Sequence, residues 1–231
     1  MLVRVGLENG FEGHRSIAWL LDVPGCVAYG SDGSEALLRV PHSLLEFTSW
    51  ANRHAGETWL SIDNFDIRLV ETWEVYRIRR SFDPKNDELE INAWFREDWR
   101  PLDPTEIERG LAVLRWQHAD LLQIVSGLDD AHLDFAHEGE RWTIRGLLAH
   151  VATAEWWYLD RFGLFGPRSA LPRNPIERLE MVRSRLLEAL PGLAGQEKVF
   201  GRDGEFWSPR KLLRRAIWHE RDHLEHIFKL L

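Results

Sequence analysis

His219 and His223 stand four residues apart near the end of a 231-residue chain, a spacing that sets two imidazoles on one helix face within reach of a single ion. His150 can supply a third nitrogen from a facing helix, and three histidine ligands leave a coordination position for water or substrate. Zinc, nickel and iron all accept such nitrogen-rich coordination, so ligand type leaves the metal's identity open. His219-Glu220-Arg221-Asp222-His223 also reads as H-E-x-x-H, the zinc-protease helix in which Glu is the general base. Against that reading, only eight residues follow His223, and His226 and Lys229 stand where the extended pattern needs Gly and His. Glu220 lies about 100° from the ligand face, which predicts a place in solvent or behind the ligands. His226 falls on the same side as His219 but two turns later, too far along the axis to join the ion. His118 sits in an apolar stripe and reads as a core histidine. None of these residues is assigned a catalytic role.

Long helices must position the histidines, and from Pro101 onward the sequence supplies them. Asp103-Pro104-Thr105-Glu106 is an N-cap, a proline at the first helical position and a capping-box Glu; it opens a stripe of Ile107, Leu111, Leu114, His118, Leu121 and Val125. Asn174-Pro175-Ile176-Glu177 repeats the start signal. With Thr143 to about Phe162 and Ser208 to about Leu230, four helices are predicted, and a four-helix bundle is their natural packing. The second and fourth share a pattern: Trp142-Thr143-Ile144-Arg145-Gly146-Leu147-Leu148 aligns with Trp207-Ser208-Pro209-Arg210-Lys211-Leu212-Leu213, each with a Trp before a capping hydroxyl. His150 is seven residues past its cap and His219 eleven past its own, azimuths that differ by about 40°.

Residues 1–100 read as a mixed α/β domain. Val70 to Ile78 and Leu89 to Phe95 alternate with near period 2 around the turn residues Asp83 to Asp87, predicting a hairpin. Ser16 to Val23 and Cys26 to Tyr29 read as strands separated by Pro24-Gly25. Ser31 or Ser34 is expected to cap a helix from Glu35 toward Trp50, kinked or interrupted at Pro41. The fold class is therefore α+β, with a domain boundary at 100/101.

Composition narrows the function classes. One cysteine, Cys26, excludes an intramolecular disulfide and any Cys-only metal site. The formal charge is −8, and residues 1–100 carry 11 Lys and Arg against 17 Asp and Glu, which argues against a nucleic-acid footprint. With no signal-peptide pattern and no run of about 18 apolar residues, the expectation is a cytoplasmic protein with no membrane partner. Twelve tryptophans are several times the usual share; most read as core filling and helix-end packing, and Trp116, Trp156, Trp157 and Trp218 are the candidates to wall an open coordination position.

Residues 101–231 resemble the DinB-like superfamily of metal-dependent enzymes. The likeness is carried by Trp142-Thr143-Ile144-Arg145-Gly146-Leu147-Leu148-Ala149-His150 and by Arg215-Ala216-Ile217-Trp218-His219-Glu220-Arg221-Asp222-His223. It implies a four-helix bundle, often dimeric, holding a divalent metal on His150, His219 and His223. The activities it implies include thiol-dependent S-transfer with a low-molecular-weight thiol co-substrate. The first 55 residues resemble, more weakly, the HicB-like antitoxin domain, through Val23-Pro24-Gly25-Cys26-Val27-Ala28-Tyr29-Gly30-Ser31-Asp32-Gly33-Ser34-Glu35-Ala36-Leu37. No DNA-binding segment follows that stretch.

The expectation is therefore a DinB-like bundle preceded by a small HicB-like domain, working as a transferase or hydrolase on a small-molecule substrate and forming a homodimer. The alternative is a non-catalytic, metal-stabilised binding module whose N-terminal domain docks a partner protein.

Overall fold

The structure is a computed structural model that describes residues 1–79 and 88–231, so the predicted turn at Asp83 to Asp87 lies outside the described residues. The chain forms two compact units, Met1–Pro101 with Glu197–Lys211, and Leu102–Gln196 with Leu212–Leu231. The segment Glu197–Lys211 thus groups with the first unit rather than with the helices it adjoins in sequence.

The first unit is built on a four-stranded sheet. Strand β1 (Leu2–Phe11) pairs antiparallel with β2 (Arg15–Leu20), which pairs antiparallel with β3 (Val27–Gly30). The tight turn after β1 requires positive φ at Glu12 and Gly13. Helix α1 (Gly33–Ala55) lies against β2 and β3 and buries Ala36, Val40, Leu44, Phe47 and Ala51, one stripe of its surface. Its cap is Asp32, whose carboxylate accepts the Glu35 N–H, rather than Ser31 or Ser34. Ser31 instead donates its N–H and hydroxyl to the Glu35 carboxylate at 2.7 and 2.6 Å. Pro41 does not interrupt α1, which continues as one helix to Ala55.

The predicted strand over Val70 to Ile78 is two strands. Strand β4 (Asp66–Glu74) runs parallel to β1 with a bulge at Val70, and β5 (Tyr76–Arg79) pairs antiparallel with β6 (Glu88–Ile91). The change of partner falls at Val75, whose N–H makes the last bond to the β1 side, at Asn9 O, 2.9 Å. Strand β6 ends at Ile91, and Phe95 packs against β1: a Cβ on Gly6 would meet its ring at 2.7 Å, so the close approach needs glycine there. Glu8, fully buried, is satisfied by the Trp19 indole N–H at 2.8 Å and the Ala93 N–H at 2.7 Å. An unforeseen hairpin, β7 (Phe200–Arg202) and β8 (Glu205–Trp207), completes this unit, turned by Asp203 and Gly204 at φ 52° and 84°.

The second unit is helical. Helix α2 (Pro104–Ser126) has Asp103 as cap with Glu106 reciprocating, and α3 (Asp130–Leu133) is a single turn. Helix α4 (Ile144–Arg161) starts at Thr143, α5 (Pro175–Ala189) at Asn174, and α6 spans Pro209–Leu230. The start signals read from sequence therefore hold for these helices. The core interleaves Leu121 and Val125 of α2, Leu147, Leu148 and Val151 of α4, Leu179 and Val182 of α5, and Leu224 and Ile227 of α6. Four apolar faces closing on one another make a four-helix bundle. Gly110 of α2 lets α6 approach closely, since a Cβ there would meet the Leu213 side chain at 2.7 Å.

Candidate metal centre

Two caps set the heights of the histidine helices. Thr143 Oγ1 accepts the Gly146 N–H at 3.1 Å, and Ser208 Oγ accepts the Lys211 N–H at 3.2 Å. From these starts His150 of α4 and His219 and His223 of α6 converge through their Nε2 atoms. His219 Nε2 lies 3.1 Å from His150 Nε2 and 3.2 Å from His223 Nε2, and the three nitrogens all fall within 4.8 Å of one another. Trp142, just before the α4 cap, stacks on the His150 ring at 5.6 Å and 24°, and Arg141 lies over that indole at 4.7 Å. Tyr158 and Trp218 set their rings 6.1 and 5.9 Å from His219.

Electrostatics keeps the imidazoles neutral. Burial first, then His223, His150 and Arg215, push His219 well below the usual 6.5. Burial and Arg141 lower His150. Burial brings His223 down to about 4, against the pull of Asp222. Three neutral imidazoles aiming lone pairs at one point suit a cation. Ligands at about 2.0–2.1 Å in a tetrahedral arrangement stand about 3.3 Å apart, close to the separations found. The donor set therefore fits a divalent ion.

His226 and His118 add no nitrogen to the cluster. The His226 ring stacks on that of His223 at 6.4 Å, but its Nε2 bonds to Glu140 Oε2 at 2.9 Å. His118, half-buried, directs Nδ1 to Glu220 Oε1 at 3.4 Å. Glu220 is not in solvent: it is 1% exposed and ion-paired through Oε2 to Arg183 at 2.8 Å. Arg183 also pairs with Glu155 at 2.5 Å and donates to the Leu114 carbonyl at 2.8 Å. Burial, with Glu220 nearby and only partly offset by Arg183, pushes the Glu155 carboxyl up to about 7. Sequence reasoning missed Glu155 and Arg183. Their signal was a charge inside an apolar stripe, Glu155 among Leu148, Val151 and Leu159, and Arg183 among Leu179, Val182 and Leu186. Of the proposed aromatic wall, Trp218 stands beside the cluster, whereas the Trp156 indole donates to Gly166 O at 3.0 Å.

Against known families the helical region has a counterpart. Residues 113–227 match the DinB superfamily. All three converging histidines fall inside the DinB match, and residues 1–100 lie outside it. No curated protein matches the chain. Among solved structures it is similar to YfiT from Bacillus subtilis, described as a probable metal-dependent hydrolase with an unusual four-helix bundle topology. The TM-score is 0.47 at 22% identity, over 58% of this chain and 91% of that one.

The lowered histidines make the metal-free protein acid-sensitive. A buried imidazole takes up its proton only on exposure, so unfolding consumes protons between the native value and about 6.5, and stability falls as pH drops through that window. For His223, moving from 6.5 to about 4 amounts to about 3 kcal/mol by the lower end. Glu155 works the other way, contributing stability at low pH that is lost as pH rises from 4.5 to about 7. Three imidazoles outweigh one carboxyl, so the melting temperature without metal should fall from pH 6.5 to 4.5, and His223→Phe should flatten the fall. A pH-independent midpoint would contradict the burial of these rings.

Proposed function

We propose that the helical unit is a metal-dependent enzyme centre of the DinB type, holding a divalent ion on His150, His219 and His223 and acting on a small-molecule substrate by thiol-dependent S-transfer. The observation that carries this reading is the convergence of three histidine Nε2 atoms at 3.1 and 3.2 Å, with no carboxylate in the group among the described residues. A divalent ion bound there supplies Lewis acidity, which lowers the pKa of a coordinated thiol or water. The protein's own part is to present three uncharged donors at neutral pH and to shield one side of the site. Trp142 stacks on His150 and the Trp218 ring lies 5.9 Å from that of His219, so aromatic surface borders the site. In the S-transfer, the thiol gives up its proton, sulfur bonds to an electrophilic carbon, and the leaving group departs with the bonding pair. Hydrolysis is the same displacement with water in place of the thiol.

Cytoplasmic location and a homodimer belong to the same proposal, whereas a HicB-like domain in residues 1–100 that docks a partner belongs to the alternative of a non-catalytic, metal-stabilised binding module. Among the described residues no helix is long and apolar enough to cross a membrane. The reading is tested by elemental analysis of the purified full chain, followed by a screen of low-molecular-weight thiols against electrophiles. Stoichiometric zinc, nickel or iron and a thiol-dependent turnover that chelation abolishes are expected. A tightly held ion that admits no added thiol or water would instead identify a structural metal in a binding module.

A further inference from the structure

Arg183 projects from α5, a helix that supplies no histidine to the cluster, yet its guanidinium touches each of the other three long helices of the bundle. Nη1 donates to the Leu114 carbonyl of α2 at 2.8 Å, and Nη2 lies 2.5 Å from Glu155 of α4 and 2.8 Å from Glu220 of α6. Glu220 is met from the other side by His118 of α2 at 3.4 Å. Arg183, Glu155 and Glu220 are all at most 3% exposed. Two carboxylates share one arginine in the core of the bundle.

Such a layer calls for a reason other than stability. Buried ion pairs lose much of their Coulomb gain to desolvation, and well-packed apolar replacements are often as stable or more so. What an ionic layer adds is intolerance of displacement. Apolar side chains repack when a helix turns or slides, whereas a guanidinium pulled from its carboxylates leaves buried charges without partners. Glu220 directly follows His219, about 100° further round α6, so tying Glu220 to Arg183 fixes the rotation that aims His219 and His223. Glu155 lies five residues after His150 on α4, and the same guanidinium ties that helix.

We propose that Arg183, Glu155 and Glu220 form a positioning layer that sets the rotation of α4 and α6 at which the three Nε2 atoms meet. The inference rests on the reading of His150, His219 and His223 as a metal centre and assigns its second layer of control.

The test uses the full chain and Co²⁺ as the probe. In the triple variant Arg183→Met, Glu155→Leu, Glu220→Leu, no buried charge is stranded, so helicity and melting temperature should match or exceed those of the unaltered chain. Its Co²⁺ affinity should nonetheless fall about 10- to 100-fold, the range seen when groups supporting metal ligands are removed. The Co²⁺ absorption spectrum should change shape as well. Arg183→Lys keeps the charge but not the planar fork, and should lose affinity with its helix content intact. In the metal-free chain, NOEs between the His150 and His219 rings should weaken in the triple variant.

Unaltered Co²⁺ affinity and spectrum in either variant would overturn the proposal, and Arg183→Lys decides the matter if the triple variant does not fold. Should the unaltered chain itself bind no Co²⁺, the metal-centre reading fails, and the ring-to-ring NOEs still report whether the layer positions the histidines.

Discussion

Replacing any one of His150, His219 or His223 by Ala is expected to abolish stoichiometric metal binding, while His226→Ala leaves it intact. The three Nε2 atoms face one another at 3.1 and 3.2 Å, so each substitution leaves two donors where three stood. The loss should exceed the roughly 10- to 100-fold that follows from disturbing groups behind the ligands. His226 is a matched control from the same helix, since its Nε2 is engaged by Glu140 and not by the cluster. The helices should survive in every variant, because Leu147, Leu148, Val151, Leu179, Val182 and Ile227 provide the burial that holds the bundle. With metal at 100 times its Kd, the unaltered chain gains about 2.7 kcal/mol from binding, and the three variants should lose that increment in melting experiments. Metal content by elemental analysis is the decisive reading. If His150→Ala kept stoichiometric metal while His226→Ala lost it, the site would be confined to α6 and the pairing of α4 with α6 would carry no ligand.

The single substitution Arg183→Met should be the most destabilising charge removal in the helical unit, at about 3–5 kcal/mol. The large value comes from what remains: Glu155 and Glu220, 3% and 1% exposed, lose the guanidinium they share, and each must stay charged without that partner or take up a proton. Adding Glu155→Met should restore part of the loss, because one stranded carboxylate is removed with its partner, so the two changes will not be additive. Arg4 offers the contrast. Its pairs with Asp22 and Glu97 lie near the surface, and Arg4→Ala should cost at most about 1 kcal/mol. Urea unfolding followed by circular dichroism measures all three. An Arg183→Met chain as stable as the unaltered one would mean that the two carboxyls are protonated or hydrated without penalty.

Features that depend on neighbours within a turn or two were legible in the residues alone. Asp103, Thr143 and Asn174 cap the helices they precede because a short polar side chain reaches the N–H two or three residues on, a contact written entirely in local spacing. The pairing of His219 with His223 is equally local. The place of His150 opposite them was legible because the matched starts at Trp142 and Trp207 set both helices to similar azimuths. Matters that depend on a partner distant in sequence took the folded chain to settle. The stretch from Val70 to Ile78 has a single alternating pattern, but β1 takes its first part and β6 its second, and nothing in the period marks Val75 as the point of exchange. Asp203-Gly204 carried a turn signal, yet strands of three residues are too short to show a period. Glu220 reads from its azimuth as lying off the ligand face, and whether that means water or a buried guanidinium was settled by Arg183, which arrives from a helix 37 residues earlier in the chain. Periodicity reports which face of a helix is apolar, and a charge set within that face acquires its role only from the side chain that the folded bundle brings against it.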